Sequence, residues 1–565
     1  MITFRPMHSL APHPIDVPRA TGRCLRRVAA TAGLLLFAPA STHAQTVLTH
    51  TEDAAPVPKG MLRFRVTTGW SRFDERFTAT GRRTLGDEIS ATDFGVQQLP
   101  LLAPVEAGLR TLTGDAGTKL SLGHLATYSD ARTVTTPIVL EYGLTRRLTV
   151  GIMVPVVQTR RSVSVSVNKD STANVGFVPV RSRGTAATQN AAVSAAYRAA
   201  ADSLAILVSR CPTNPSATGC AAVNLNAADA SAAGVLARQF ADAVKAALGT
   251  DTAHALIAPR KDGALAARIE AERAVINARV QKYLGASVGA NAGVFTQSSS
   301  FSYIDLQGRN GTPGLLQSAL GGGLDSLQTT NRLALGGLTV GAQFLVFDHF
   351  LADTMSAPRF QSRLSVGAGL RYEALPADSA RRLGVITAAE GSAMEVKSAM
   401  DVMSGVFGGT IAGHYTQFFA RSVNAPLVGD PEAFWPYPLF GPAQRTAGSI
   451  LSLDVTPRLL LGDSFAVDAH YGFERSGAAT YDRGPVTALG GPASTPVLAA
   501  SARNAQRVGF GVRYSTVDTW LRGRATRPIE VSFTHLQTIS GNDGVARIAR
   551  DQVQVRLFFQ VRRPR

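Results

Sequence analysis

The sequence has 565 residues, of which 45% are hydrophobic and only 17% are charged, and its formal net charge is +17. A chain this apolar is not disordered, and its charged fraction is below the roughly 25% that is usual for a soluble domain. Its three cysteines exclude a disulfide-dense scaffold. Beyond the N-terminus no apolar run approaches the roughly 20 residues of a membrane-spanning helix, so a helical membrane protein is excluded as well.

The first 44 residues have the layout of an export signal. Several arginines precede the apolar run 28–37, and Thr42-His43-Ala44 places small residues at positions −3 and −1 of a cleavage site. We expect residues 1–44 to be removed, so that the mature chain begins near Gln45. The alternative, a transmembrane anchor, would need a longer apolar core.

Removal of this segment takes Cys24 with it and leaves two cysteines, Cys211 and Cys220. Exported proteins enter an oxidising compartment, where two cysteines that close a short loop normally form a disulfide. No histidine or further cysteine lies nearby in the sequence to complete a metal site. The sequence therefore predicts a structural disulfide and no metal.

From Lys59 onward, polar and apolar residues alternate over segments of roughly 9–15 residues, the length of a tilted strand that crosses a bilayer. In the last such segment, 552–561, one face carries Val553, Val555, Leu557, Phe559 and Val561, and the other carries Gln552, Gln554, Arg556 and Gln560. A sandwich strand alternates in the same way. Strand length, glycines on the polar face and aromatic residues at strand ends favour a membrane barrel, the aromatics being Trp70, Tyr142, Tyr372, Tyr471 and Tyr514.

About 14 segments fit this pattern, and two of them are doubtful because the stretches 118–143 and 394–421 can each be divided differently. The segments are 60–72, 118–129, 132–143, 147–167, 288–304, 334–349, 359–374, 394–406, 407–421, 447–461, 464–476, 504–515, 527–539 and 550–561. The predicted fold is all-β, a transmembrane antiparallel β-barrel of 12–14 strands, closed because hydrocarbon tolerates no open sheet edge. Short connections at 143–147 and 461–464 and long ones elsewhere match the periplasmic turns and outer loops of such barrels.

An Ala-rich α-helical insertion interrupts the strands at 169–285, between an N-terminal barrel part at 45–168 and a C-terminal part at 286–565. Apolar residues recur there at helical spacing in 190–209, 221–248 and 264–283, with charges between them. Those charges break the apolar stripes too often for a membrane span. Three roles stay open: a cap over the barrel mouth, a plug inside it, or a solvated decoration.

One hairpin resembles a known family. The segment 132–155 contains Pro137, an apolar strand, Tyr142-Gly-Leu-Thr145, a basic turn and Pro155, and it is similar to a hairpin of the MetA-pathway phenol-degradation family of transporter-like bacterial outer-membrane β-barrels. The segments 364–372 and 507–516 look like later strands of that family, whereas 374–378 departs from its Leu-Pro-Thr-Gly. The resemblance implies the barrel fold and a transport role, and it names no substrate.

If the apolar face of each strand meets lipid, the polar face lines a lumen. The predicted lumen-lining residues are Arg63, Arg65, Glu141, Arg371, Asp454, Asp468, His470, Glu474, Arg507, Arg513, Glu530 and Arg556. Their charges nearly balance, which is typical of an ion-paired network that fills a narrow barrel, since unpaired buried charge is costly. The alternative is a polar path lined by arginine. Inward Met153, Pro155 and Val157 oppose a wide hydrated pore and leave room for an amphipathic or aromatic solute.

The sequence contains no His-Glu-x-x-His, Cys-x-x-Cys or phosphate-loop motif that would indicate catalysis. His535 with Ser540 could indicate an esterase, but a structural histidine explains the pair better. His470 with Asp468 and Glu474 would need a further ligand to bind a metal. We therefore predict no enzyme activity and no cofactor.

The composite prediction is an exported outer-membrane channel that passes a small amphipathic or hydrophobic solute by diffusion. A structural barrel without transport and a barrel-embedded lipid-acting enzyme are the alternatives. The positive charge is spread along strands and turns, so we do not expect nucleic acid as a partner. We expect outer-membrane lipid and lipopolysaccharide to contact the barrel rim instead.

Overall fold

The computed structural model describes residues 53–560, except 88, 169–171, 289–292, 310, 326, 328, 351–359, 374–390, 427–439, 483–500, 522 and 543. The predicted export signal and the departure at 374–378 lie outside the described residues.

The described chain contains twenty strands and seven α-helices. The strands, β1 to β20, are Met61–Phe73, Glu75–Thr78, Gly81–Thr84, Leu125–Gly143, Leu148–Val167, Val175–Phe177, Ile257–Pro259, Thr330–Leu335, Leu338–Asp348, Gln361–Tyr372, Ala393–Ser404, Phe407–Phe418, Arg421–Pro426, Phe440–Thr446, Ile450–Leu461, Phe465–Ser476, Thr480–Asp482, Arg503–Ser515, Ile529–Gly541 and Ala549–Gln560. The helices, α1 to α7, are Ala103–Thr113, Val180–Arg210, Cys220–Leu225, Ala227–Leu248, Ala264–Leu284, Tyr303–Gln307 and Val517–Leu521.

Twelve strands close into an antiparallel barrel, which confirms the predicted fold. Their order around the ring is β1, β4, β5, β9, β10, β11, β12, β15, β16, β18, β19, β20 and β1 again. The short strand β8 continues the line of β9 beyond Gly336 and Gly337, because both strands pair with successive parts of β5. Closure gives each of the twelve barrel strands a partner on both sides, as a membrane barrel requires.

The barrel has twelve strands rather than 14 because the structure corrects the sequence prediction at two places. The predicted strands 118–129 and 132–143 are one strand, β4, whose alternation runs unbroken from Leu125 to Gly143. The predicted strand 288–304 is wrong, since the described residues 293–304 form no strand. Val294 and Phe301 are buried instead in the core of the helical region, where packing outweighs a weak, glycine- and serine-rich alternation.

Aromatic side chains mark both rims of the outer face. Trp70 and Tyr372 lie at one end of the barrel, and Tyr142 and Tyr514 lie at the other. Tyr471 was predicted at a strand end, but it lies in the middle of β16, paired with Val508. Between the rims the outer face is apolar and exposed, as a lipid-facing belt should be.

The connections differ sharply between the two ends of the barrel. At the short-turn end, 144–147, 405–406 and 462–464 join strands, together with 349–360 and 516–528. At the long-loop end, the connections are 74–124, 168–329, 373–392, 419–449, 477–502 and 542–548. The helical region therefore belongs to the long-loop end.

The helical region is assembled from two stretches of chain, where the sequence predicted one. Helices α2, α4 and α5 come from the predicted insertion, whereas α1 comes from the β1–β4 connection and packs on α4. Gly108 of α1 allows this close approach, because a Cβ there would lie 2.7 Å from the Cβ of Ala247. By length and composition α2 could cross a membrane, but Val193, Tyr197 and Leu204 of α2 are buried in the helical core.

The predicted disulfide is confirmed. Cys211 follows the last residue of α2, Cys220 begins α3, and their sulfur atoms are bonded. Both cysteines are buried in the helical core. The bridge therefore fixes the loop that connects the two helices.

Candidate functional site: the barrel lumen

All twelve predicted lumen residues lie on the inner face of their strands. Arg63, Arg65, Glu141, Arg371, Asp468, His470, Glu530 and Arg556 are buried, and Asp454, Glu474, Arg507 and Arg513 are half-buried. The alternating burial of β1, β4, β16 and β20 sets this phase. The structure thus collects the twelve side chains around one lumen.

Most of these charges are paired. Arg63 Nε lies 2.6 Å from Glu141 Oε2. Arg513 lies 3.7 Å from Glu530, which is also 3.2 Å from Arg556. Such pairing is the ion-paired network expected from the near balance of charge.

Sequence analysis missed several lumen residues that complete this network. Arg363 Nε bonds to Asp401 Oδ2 at 2.7 Å, and Arg371 forms an ion pair with Glu395. Arg458, also missed, lies 2.6 Å from Asp468. The alternation of 394–406 already places Asp401 and Glu395 on the same strand face. Assigning that face to the lumen would have identified both residues from the sequence.

The three residues considered for a metal or acid/base role do not form such a site. His470 Nδ1 lies 3.2 Å from the Thr456 hydroxyl, Asp468 binds Arg458, and Glu474 binds Arg507 at 2.9 Å. Among the described residues no group of three or more His, Cys, Asp or Glu side chains could hold a metal ion.

The structure also does not bring together His535 and Ser540, the pair considered for an esterase and interpreted as structural. His535 Nδ1 lies 2.8 Å from Asp551 Oδ1, and the histidine ring packs against Phe510 on the outer face. Ser540 stands five residues further along β19, roughly 16 Å away at the rise of a strand. The histidine is therefore a structural partner of Asp551.

A short segment that precedes β1 fills part of the lumen, and sequence analysis gave no sign of it. We call residues Asp53–Pro58 the lumen plug. Ala54 and Val57 are completely buried. The Ala54 N–H donates to Asp401 Oδ2 at 3.0 Å, and the Val57 N–H donates to the Thr149 hydroxyl at 2.9 Å.

The plug crosses the barrel from wall to wall. Asp53 forms an ion pair with Arg556 on β20, while the next residue, Ala54, binds Asp401 on β11. These strands lie six places apart in a ring of twelve, which is the largest separation possible. The plug therefore obstructs the lumen near its short-turn end.

Gly143 makes room for the plug. An added Cβ at Gly143 would lie 2.3 Å from the Pro58 carbonyl oxygen and 2.5 Å from that of Val57. Pro56 and Pro58 have no N–H groups and cannot join the sheet as a further strand. The plug is thus held by side chains of the wall rather than by strand pairing.

One side of the lumen is apolar. Val139, Pro155 and Val157 are buried on the inner faces of β4 and β5, and Met153 is half-buried beside them. Cross-strand pairing sets Val139 opposite Met153. An aromatic or alkyl group would find a dry surface here.

The long-loop mouth is covered. Phe73, at the end of β1, and Ala131 of β4 face inward. They belong to the same buried cluster as Leu109 of α1 and Phe240 of α4. This continuity makes the helical region a packed cap. We therefore favour the cap over the plug and decoration interpretations.

Outside the barrel, three arginines stand side by side. Arg72 of β1 pairs in register with Arg132 of β4, which pairs with Arg160 of β5. All three side chains are exposed, next to Trp70 at the long-loop rim. Asp130 lies 3.4 Å from Arg132 and offsets one of these charges, and the remaining like charges repel one another. We call Arg72, Arg132 and Arg160 the arginine row.

Comparison with known proteins adds only distant structural similarity. No family model matches the sequence, and none of the curated proteins matches it. An outer-membrane channel from Pseudomonas putida F1 aligns with a TM-score of 0.36 and 8% identity, over 91% of this chain and 100% of that one. The toluene transporter TodX of Pseudomonas putida aligns with a TM-score of 0.23 and 9% identity, over 92% of this chain and 94% of that one. A FadL homologue of Pseudomonas aeruginosa aligns with a TM-score of 0.26 and 8% identity, over 92% of this chain and 100% of that one. At these TM-scores the matches carry no functional conclusion for this chain.

Proposed function

We propose that the protein is a channel of the bacterial outer membrane through which a small amphipathic or hydrophobic solute diffuses passively. The lumen plug carries this proposal. A purely structural barrel needs no separate chain segment across its lumen, whereas a segment held only by a few side-chain contacts is a closure that a channel can displace. The resemblance of 132–155 to a transporter-like family agrees with this function.

The wall of the lumen supports the proposed solute class. Ion pairs hold most of its charges, so a solute meets a largely neutral polar surface on one side and Val139, Met153 and Val157 on the other. This combination suits an amphipathic molecule better than a hydrated sugar or ion. The proposal includes no enzyme activity and no cofactor.

We further propose that residues 1–44 direct export and that the long-loop end faces outward. Lipopolysaccharide phosphates lie in the outer leaflet, and the arginine row would bind them from the barrel rim. Labelling cells with a membrane-impermeant thiol reagent tests this orientation, using a cysteine introduced at exposed Arg238 of α4. Labelling of intact cells is expected. Labelling only after outer-membrane permeabilisation would place the long-loop end in the periplasm.

Removal of the plug tests the channel itself. Deletion of residues 46–57 should raise single-channel conductance in planar bilayers at least 10-fold and speed proteoliposome swelling in sodium phenylacetate more than in arabinose. Deletion of 46–50 alone keeps the plug and should behave as the intact protein. Because the cap also covers the lumen, a further variant lacks both 46–57 and the cap helices at 180–284. Equal, negligible conductance of all four folded proteins would show that the barrel is structural.

A further inference from the structure

The long-loop half of the lumen contains two polar side chains, Arg550 and Gln552, that have no partners among the described residues. Gln552 is 1% exposed, and neither its side-chain oxygen nor its nitrogen has a hydrogen-bond partner among the described residues. Arg550, two residues earlier on the same inner face of β20, forms no ion pair or hydrogen bond with any residue that the structure describes, and its Nε is buried. Buried polar groups are satisfied in more than about 90% of cases.

The two side chains are close enough to act on one ligand. Residues i and i+2 of a strand lie on the same face, roughly 6–7 Å apart along the strand. The Arg550 guanidinium lies over Gly69, where an added Cβ would be 2.9 Å from both Nε and Nη2. Gly69 is in register with Gln552. The glycine thus leaves the space beside Gln552 that the guanidinium occupies.

The charge of this region favours an anion. Arg507, on the inner face of β18, repels Arg550. The carboxylate nearest to Arg507 is Glu474, which already binds it at 2.9 Å. A second carboxylate brought by a ligand would offset the remaining positive charge. Arginine suits this role because its planar donors match the two oxygens of a carboxylate.

The remaining surroundings specify the rest of the ligand. Along the neighbouring strands of the ring, the successive register partners of Gln552 are Gly69 of β1, Thr135 of β4 and Val157 of β5. The wall therefore changes from the charged surface of Arg550 on β20, through the small residues of β1 and β4, to the apolar surface of β5. This change takes place over three strand spacings, roughly 14 Å. A molecule with a carboxylate at one end and an aromatic or alkyl body would match both surfaces.

We propose that Arg550 and Gln552 form a luminal subsite for the carboxylate of a small amphipathic acid. This inference rests on the proposed channel function and names the chemical class of its solute. Arg550 forms the ion pair with the carboxylate, and the Gln552 amide donates to one of its oxygens. The body of the acid lies toward Val157 and Met153.

Equilibrium binding to protein in lipid nanodiscs at pH 7 tests the subsite, with radiolabelled benzoate and its neutral isostere benzamide as probes. The intact protein and the 46–57 deletion should bind benzoate at least 10-fold more tightly than benzamide. Arg550→Gln should lower benzoate affinity at least 10-fold and leave that for benzamide unchanged. Arg550→Lys should give an intermediate value, because lysine keeps the charge and loses the planar pair of donors.

Three further variants separate a binding role from a structural one. Gly69→Ala keeps the charge but displaces the guanidinium, so it should weaken benzoate binding. Gln552→Leu should do the same. Arg475→Gln removes an exposed arginine of β16 and should have no effect. Heat-modifiable migration in gels identifies the variants that are folded.

Each outcome separates this inference from the channel proposal. Benzoate binding that depends on Arg550 in a protein without conductance would uphold the subsite and refute the channel. Conductance together with equal binding of benzoate and benzamide would uphold the channel and overturn the subsite. Undiminished benzoate binding by folded Arg550→Gln would overturn the subsite as well.

Discussion

Asp53 and Arg556 form an ion pair inside the barrel, between the plug and the last strand of the ring. Their side chains are only 10% and 3% exposed. The pair is thus shielded from solvent, and it attaches the plug to the barrel wall. The plug must break this ion pair before it can leave the lumen.

The first prediction concerns this pair. Asp53→Asn removes the charge of the plug and leaves Arg556 to share Glu530, at 3.2 Å, with Arg513. A hydrogen bond between charged groups contributes about 1.5–3 kcal/mol, so displacement of the plug should become roughly 10- to 100-fold more frequent. Planar-bilayer recordings would count these openings. Asp463→Asn, in an exposed turn, is the matched control, and equal opening frequencies for the two variants would show that the pair does not hold the plug.

The second prediction concerns the lipid-facing belt. Val555 faces outward in the middle of β20, and Val555→Arg should destabilise the inserted barrel by about 2–4 kcal/mol. Gln537→Arg places the same side chain on the outer face beyond the level of Trp70, where the cost should be about 0–1 kcal/mol. Urea unfolding in lipid vesicles measures both. Similar costs at the two depths would contradict the assigned position of the belt.

A third prediction uses two glycines of the helical region. Gly108→Ala brings a methyl group against Ala247 and should destabilise the cap by about 1–3 kcal/mol. Gly184→Ala in α2 meets nothing within 4 Å and should stabilise it by about 0.5–1 kcal/mol. Limited proteolysis of the helices in urea reports both changes. Shifts of the same sign would be inconsistent with the tight contact of α1 with α4.

The fourth prediction concerns the disulfide. Replacing Cys211 and Cys220 by serine frees a short loop of the cap, and loss of the bridge should cost about 2–3 kcal/mol. The bridge joins two residues of the cap and none of the barrel, so the barrel should keep its heat-modifiable migration. Protease cleavage near 211–220 should accelerate in the variant. Loss of the folded barrel would instead mean that the cap is needed for barrel assembly.

A fifth prediction concerns acid. Hydrogen bonds from Tyr283 and then Lys282 lower the pKa of Asp229 below its ordinary value of 3.8. Because the pKa of Asp229 is lower in the folded cap than in the unfolded chain, its ionised carboxylate stabilises the cap at any pH above 3.8. This stabilisation is lost as the pH falls from 3.8 through the lower pKa of the folded state. Proteolysis of the cap should therefore accelerate as the pH drops below about 3.8, using an acid-active protease. Asp229→Asn should show less of this dependence, and an unchanged pH profile in that variant would exclude Asp229 as its source.

The alternating sequence determined which residues face the lumen. Side-chain direction in a strand has a period of two, so the phase of Arg63, Asp468 or Arg556 follows from its apolar neighbours alone. The barrel class follows from this pattern together with the strand length and the aromatic residues at strand ends, since a sheet that spans a membrane must be closed. The disulfide was predictable because its cysteines are close in sequence.

Tertiary structure alone decided how the lumen is filled. The plug has no periodicity, and its position depends on Asp401 and Arg556, which lie hundreds of residues away and are brought together only when the ring closes. Helix α1 joined the cap because Gly108 fits against Ala247, a contact that no local pattern records. The absence of protein partners for Arg550 and Gln552 among the described residues likewise emerges only from the packed lumen, since a sequence shows which groups are polar and not which of them are paired.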